Sequence, residues 1–214
     1  MTGVPEVIAE KIRGLVARGA LAPGMRLGQA ELAKQFDTSR VPLREALKLL
    51  SSEGIVEHDP NRGFFIAPFS SDEARQLFRM RHLIEDELLK SVEWPSKAKL
   101  ADIEKRAAGL EKLLDTGDRA EWWIQHRQFH HMIFDLSPQK IIVKEAMRLW
   151  MLTDRYRSML PMPRRGSDER RVVEKKSFID ALRSQDRKLL LNVRKERRQA
   201  FEDLVLRTLK EREM

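Results

Sequence analysis

Apolar residues recur at helical spacing through most of the chain, and the exceptions mark out its plan. Val7, Ile8, Ile12, Leu15 and Val16 share one face of a helix predicted over residues 5–18, which Gly19 ends. Pro23-Gly24 then makes a turn before a short extended piece. Leu32, Ala33 and Phe36 stripe a brief second helix, and Asp37-Thr38-Ser39 breaks it with turn and N-cap residues. A third helix follows, with Ser39 placed to cap it through its hydroxyl, Pro42 in its first turn, and Val41, Leu43, Ala46, Leu47, Leu49 and Leu50 as its buried face. Glu53-Gly54 ends it. Helix, tight turn and helix is the plan in which the second helix enters the DNA major groove.

The helical period then gives way. Residues 55–58 and 64–67 read as two short strands around Asp59-Pro60-Asn61-Arg62-Gly63, which places a hairpin behind the third helix. Its tip is either a plain turn or a wing that reaches the minor groove or backbone of DNA, and its position favours the wing. From Asp72 onward the helical spacing returns and stays, giving about six helices. These cover 72–92, 96–115, 118–136, 138 to about 160, 167–184 and 186 to the C-terminus. The fold class is therefore mainly α: an N-terminal winged helix-turn-helix over 1–68 with a small β-wing, a linker at 69–71, and an all-α helical bundle over 72–214.

Composition changes this picture in three ways. The chain has no Cys among its 214 residues, which removes disulfides, thiolate metal sites and a Cys nucleophile. No apolar run is long enough to span a bilayer and the first residues do not read as a secretory signal, so a cytoplasmic protein with no membrane partner is expected. The net charge of +8 favours a polyanionic partner. Residues 1–68 nevertheless hold nine Lys and Arg against eight Asp and Glu, so DNA contact depends on where particular cations fall. Ser39, Arg40 and Arg44 sit at the start of the third helix, where free N–H groups suit phosphate and an Arg can fork onto guanine. Arg62 and Gly63 sit at the hairpin tip.

The residues Gly19-x-Leu21-x-Pro23-Gly24-x-Arg26-Leu27, Glu31-Leu32-Ala33, Ser39-Arg40-x-Pro42-Leu43-Arg44-Glu45-Ala46-Leu47-x-x-Leu50, Glu53-Gly54-Ile55-Val56 and Arg62-Gly63 carry a resemblance. Together they resemble the winged-helix domain of GntR-family bacterial transcription regulators, over nearly all of residues 5–68. The resemblance implies DNA contact at Ser39, Arg40, Arg44 and Gly63. Ala30 stands where some members of the FadR branch carry a DNA-contacting Arg, so a different operator preference is implied. The helical part is similar to the FCD-type effector domain of that branch, on Arg81-x-x-Ile84-Glu85, Phe129-His130, Ala181-Leu182 and Asp186.

Many effector domains of that kind hold a divalent metal between an Asp, a His four residues later, and two His on the last two helices. His126 stands here in the Asp place and His130 in the first His place, while Lys175 and Arg197 stand where the other two His would be. Lys and Arg are not ligands at neutral pH, so no metal cofactor is expected, with His126 and His130 the only ligand candidates. Arg81, His126, His130, Lys175 and Arg197 instead suggest a cationic effector pocket for a small anionic metabolite. Alternatively, Lys175 and Arg197 are solvated members of charge-rich runs, the two His are core residues, and Trp122, Trp123 and Trp150 are core aromatics rather than pocket walls.

The expected function is a homodimeric, ligand-responsive regulator on a palindromic double-stranded operator, not an enzyme. A DNA-binding protein without an effector is the main alternative. A His-dependent enzyme using His126, His130 and Glu85 or Asp135 is a weaker one, since no nucleophile elbow or phosphate loop is present.

Overall fold

The computed structural model describes residues 3–17, 19–157, 159–160 and 169–211. Three helices open the chain: α1 (Val4–Ala17), α2 (Gln29–Gln35) and α3 (Arg40–Ser52). Strands β1 (Val56–Asp59) and β2 (Gly63–Ile66) follow as an antiparallel pair, with Val56 opposite Ile66 and Asp59 opposite Gly63. Both strands start or end a residue away from the ranges read off the sequence. The extended piece at 24–27 lies against β2: Leu27 N donates to Phe64 O at 2.8 Å and Ile66 N to Met25 O at 2.9 Å. Ile8, Ile12, Leu32, Leu43, Leu47, Leu50, Val56 and Ile66 close one apolar core under these elements.

Two details of α3 differ from expectation. Val41 is 73% exposed. The α3 face that packs on α1 and α2 runs through Leu43, Ala46, Leu47 and Leu50, and Val41 lies off that stripe at the open end of the helix. Ser39 holds the N-cap position with extended backbone, but its hydroxyl makes no cap hydrogen bond.

The remaining helices are α4 (Ser71–Lys90), α5 (Lys97–Thr116), α6 (Arg119–Phe134), α7 (Lys140–Arg157), α8 (Glu169–Ser184) and α9 (Arg187–Glu211). Side-chain caps at Ser70, Ser96 and Asp118 start α4, α5 and α6, and each accepts from the N–H three residues on. Helix α4 runs through the bundle, packed along both α7 and α9. The bundle has two apolar clusters. One gathers Leu88, Leu89, Phe129, Ile133, Phe134, Trp150 and Phe178. The other gathers Ala74, Phe78, Leu149, Tyr156, Val205 and Leu209. Between them the inward faces of α4 and α9 turn polar together: Arg81 and Glu85 on α4, Arg194 and Arg198 on α9, all buried. No helix among the described residues is long and apolar enough to cross a membrane.

Candidate functional site

The start of α3 presents Ser39, Arg40, Val41 and Arg44, all exposed. The helix cannot bury them, because its stripe of Leu and Ala already faces α1 and α2. With its hydroxyl unused by the cap, Ser39 stands beside the unpaired N–H groups of the first turn, a geometry suited to phosphate. The wing tip is built by Asp59, whose Oδ1 accepts from Asn61 N at 2.8 Å and Arg62 N at 3.0 Å. Gly63 completes the turn at φ +94°, where a side chain would be strained. Arg62 lies over the Phe65 ring at 5.1 Å.

In the helical bundle a cavity of about 540 Å³, counting its mouth, opens into the polar layer between the two apolar clusters. Its cationic walls are Arg81, Arg157, Arg194, Arg197 and Arg198, and its aromatic walls include Trp122, Trp123 and Phe201, with His82 and His126 beside them. Glu85 lies at the floor of this layer, fully buried. Its Oε1 accepts from Arg81 Nε at 3.1 Å, Arg81 Nη2 at 3.0 Å and Trp150 Nε1 at 2.7 Å. Its Oε2 accepts from Arg194 Nε at 2.7 Å, with Arg198 Nη1 at 3.6 Å. Burial by itself would raise the Glu85 carboxyl, but Arg194 and Arg81 outweigh it and hold it well below the usual carboxylate range. Arg81 is further fixed by Thr153 Oγ1 at 2.7 Å, and Arg198 donates to Asp86 and to His82 O.

Among the described residues these guanidinium groups meet Glu85, Asp86 and Asp154, the last paired with Arg157 at 3.0 Å. His82 and His130 add no further positive charge. Burial, then Arg198, pushes His82 down to about 4, and burial with Arg194 pushes His130 well below its ordinary value. Both are neutral at neutral pH. Trp123 Nε1, His130 Nδ1 and Arg198 Nε are buried with no hydrogen-bond partner among the described residues. Buried polar atoms in native proteins are seldom left so.

The structure sorts the sequence-based candidates. Arg81, His126 and Arg197 all line the cavity. His126 stacks on Trp122 with ring centroids 4.7 Å apart. His130 lies behind the wall instead, wedged between His126, Phe129, Phe178 and Trp150. The side chain of Lys175 lies outside the described residues. Trp122 and Trp123 both pack in the core and face the cavity, so the two readings of these aromatics were not exclusive. Arg157, Arg194 and Arg198 escaped sequence reading, because Arg194 to Arg198 looks like a solvated charge run. A usable signal was present: Leu190, Arg194, Arg197 or Arg198, Phe201 and Val205 continue one stripe of α9, so those arginines occupy apolar-face positions. Asp135, considered as a catalytic carboxylate, sits at the surface paired with Lys140 at 2.8 Å, and Glu85 is occupied by its arginines. Among the described residues no group of three or more His, Asp or Glu is placed to hold a metal ion.

A winged helix with an exposed recognition helix, joined to a helical bundle with a charged internal cavity, defines a DNA-binding transcription regulator with a separate sensory domain. The chain belongs to the GntR family of bacterial regulatory proteins, whose profile matches residues 5–66, and carries an FCD domain over residues 76–193. It is 27% identical over 129 residues to the HTH-type transcriptional regulator YdhC of Bacillus subtilis, covering 59% of this chain and 58% of that protein. It is 28% identical over 152 residues to the HTH-type transcriptional repressor GlaR of Escherichia coli, covering 66% and 67%. The matched stretch thus spans under two thirds of YdhC and about two thirds of GlaR. The solved structure of E. coli McbR/YncC shares the fold, with a TM-score of 0.85 over 97% of this chain and 99% of that one, at 21% identity. Members of this family are regulators rather than enzymes.

Proposed function

We propose that the protein is a cytoplasmic, sequence-specific regulator that binds a palindromic operator as a homodimer and responds to a small anionic metabolite. Ser39, Arg40 and Arg44 would enter the major groove, with Arg62 and Gly63 on the wing against the backbone or minor groove. The observation that carries the effector reading is the cavity itself: five arginines and the rings of Trp122, Trp123 and Phe201 line an open space between the apolar clusters. An anion of carboxylate or phosphate type would suit such a lining, gripped by forked guanidinium groups. A divalent metal fits poorly, since Arg194 and Arg157 already hold the potential at His130 positive. Arg81, His126 and Arg197 keep their proposed roles in this site, joined by Arg157, Arg194 and Arg198.

The dimer reading draws support from exposed apolar side chains on adjoining helices. Met80 (43%) and Leu83 (66%) lie one turn apart on α4, and Ile141 is 83% exposed on α7 beside Gln139, which donates to Glu87 of α4. The alternative of a DNA-binding protein without effector expects a filled helical domain, and the cavity weighs against it.

The test is titration of the protein's own upstream DNA at two salt concentrations, alongside a thermal-shift screen of di- and tricarboxylates, phosphate esters and divalent metals. Specific binding and a shift with anions are expected. No preference over random DNA, together with a shift from metals alone, would overturn the reading.

A further inference from the structure

The last turn of α7 lies between the cavity and the winged helix, and its residues point alternately to each. Thr153 accepts from Arg81 in the polar layer, and Arg157 reaches into the cavity wall, stacked over Trp123 at 4.8 Å and Phe201 at 4.3 Å. Arg155, between them, donates from Nη1 to the carbonyl of Gly54 at 3.0 Å, directly behind the recognition helix. Asp154 belongs to both sides. Its Oδ1 pairs with Arg157 Nε at 3.0 Å and its Oδ2 with Arg127 Nη1 at 3.2 Å. The other arm of Arg127 crosses to Glu10 on α1 at 3.2 Å. Glu10 in turn pairs with Arg13 at 2.7 Å, and Arg13 holds Glu53, the C-cap of α3, at 2.6 Å. A chain of alternating charges therefore runs from an arginine of the cavity to the end of the recognition helix.

We propose that Asp154 is the switch of this regulator, shared in competition by the cavity arginine Arg157 and the domain-bridging arginine Arg127. The proposal rests on the anion reading of the cavity for its trigger, but not for its wiring. An anion in the cavity engages Arg157 and draws it from Asp154. The freed carboxylate closes on Arg127, whose grip on the half-exposed Glu10 weakens, and α1 is released from α6. Asp154 and Arg127 are mostly shielded, so their pairing is strong enough to be worth switching, while the Glu10 contact at the rim is the weak joint that yields. The bistable element is a carboxylate that serves two cationic partners through its two oxygens, Oδ1 to Arg157 and Oδ2 to Arg127, so that loss of one partner leaves an oxygen for the other.

The wiring is testable with neither ligand nor operator, so its failure is distinct from failure of the effector reading. Amide hydrogen exchange along α1 is compared in the full-length wild type, Arg157→Met, Arg127→Met and the double variant. Arg157→Met removes the competitor and imitates the occupied cavity. It is expected to speed α1 exchange by about two- to a hundredfold, the span of coupling for contacting groups. In the Arg127→Met background the same substitution is expected to add nothing. Unchanged α1 exchange in Arg157→Met, or an equal increment in both backgrounds, overturns the proposal. Because Arg157 is buried, its loss can loosen the whole bundle. Asp154→Asn, which keeps the shape, is the second variant: it is expected to abolish the Arg157→Met effect on α1, and persistence of that effect overturns the proposal as well. Exchange in α5, which shares none of these contacts, reports general loosening.

Discussion

Replacing Glu85 with Gln tests the arginine layer most directly. The substitution keeps volume and one acceptor oxygen, so no cavity is made, and the change is nearly pure charge. Glu85 is fully buried and receives donors from Arg81, Arg194 and Trp150 at 2.7–3.1 Å. Without its charge, Arg81 and Arg194 lose the buried counter-ion that both of them share. Removing one partner of a buried ion pair costs about 3–5 kcal/mol. The retained amide oxygen can still accept from Trp150, which points to the lower end, about 3 kcal/mol. For a chain of this size that lowers Tm by about 6–12 °C. Urea unfolding followed by fluorescence of the four Trp residues measures it, with the slope against urea unchanged. Citrate or phosphate should restore more stability to the variant than to wild type, since an anion in the cavity replaces missing negative charge. A variant within about 1 kcal/mol of wild type would refute the view that these arginines lean on Glu85.

Three other outcomes are expected. Arg40→Ala should weaken specific operator binding by about 1–3 kcal/mol and flatten discrimination against random DNA, read by titration at two salts; unchanged discrimination would remove Arg40 from the base-reading set. Stability should fall as pH drops from about 6.5 toward 4: His82 is pushed down to about 4 when folded, so the unfolded chain takes up the proton first, and His130 acts in the same direction. His82→Gln should flatten that slope in denaturant titrations between those pH values, and an unchanged slope would exclude His82 as a source. Gly54→Ala should cost about 1–2 kcal/mol by urea unfolding, because Gly54 holds φ +72° and a Cβ there would sit 3.0 Å from Leu152 Cδ2; a neutral result would mean the turn behind the recognition helix relaxes freely.

Much of this protein was legible from local order. The stripe of Leu43, Ala46, Leu47 and Leu50 fixed which side of α3 is buried, and Gly54 and Gly63, both at positive φ, marked where the chain turns, because chain reversal depends on a few neighbouring residues. Arg40 and Arg44 were found for the same reason: they are what the stripe leaves outside. Val41 was misplaced because apolar character was taken as a sign of burial, while its angular position on the helix already set it apart. The cavity is another matter. Arg81 and Glu85 stand four residues apart on one helix, but Arg157, Arg194 and Arg198 come from 72 to 117 residues further along, and a charge run on α9 looks solvated until the face it shares with Leu190 and Val205 is packed against α4. Which arginines share Glu85, which one shares Asp154 with Arg127, and that both partnerships meet on one turn of α7 were decided by tertiary structure alone. Electrostatic pairing depends on distance and burial in three dimensions, and neither is encoded by spacing along the chain.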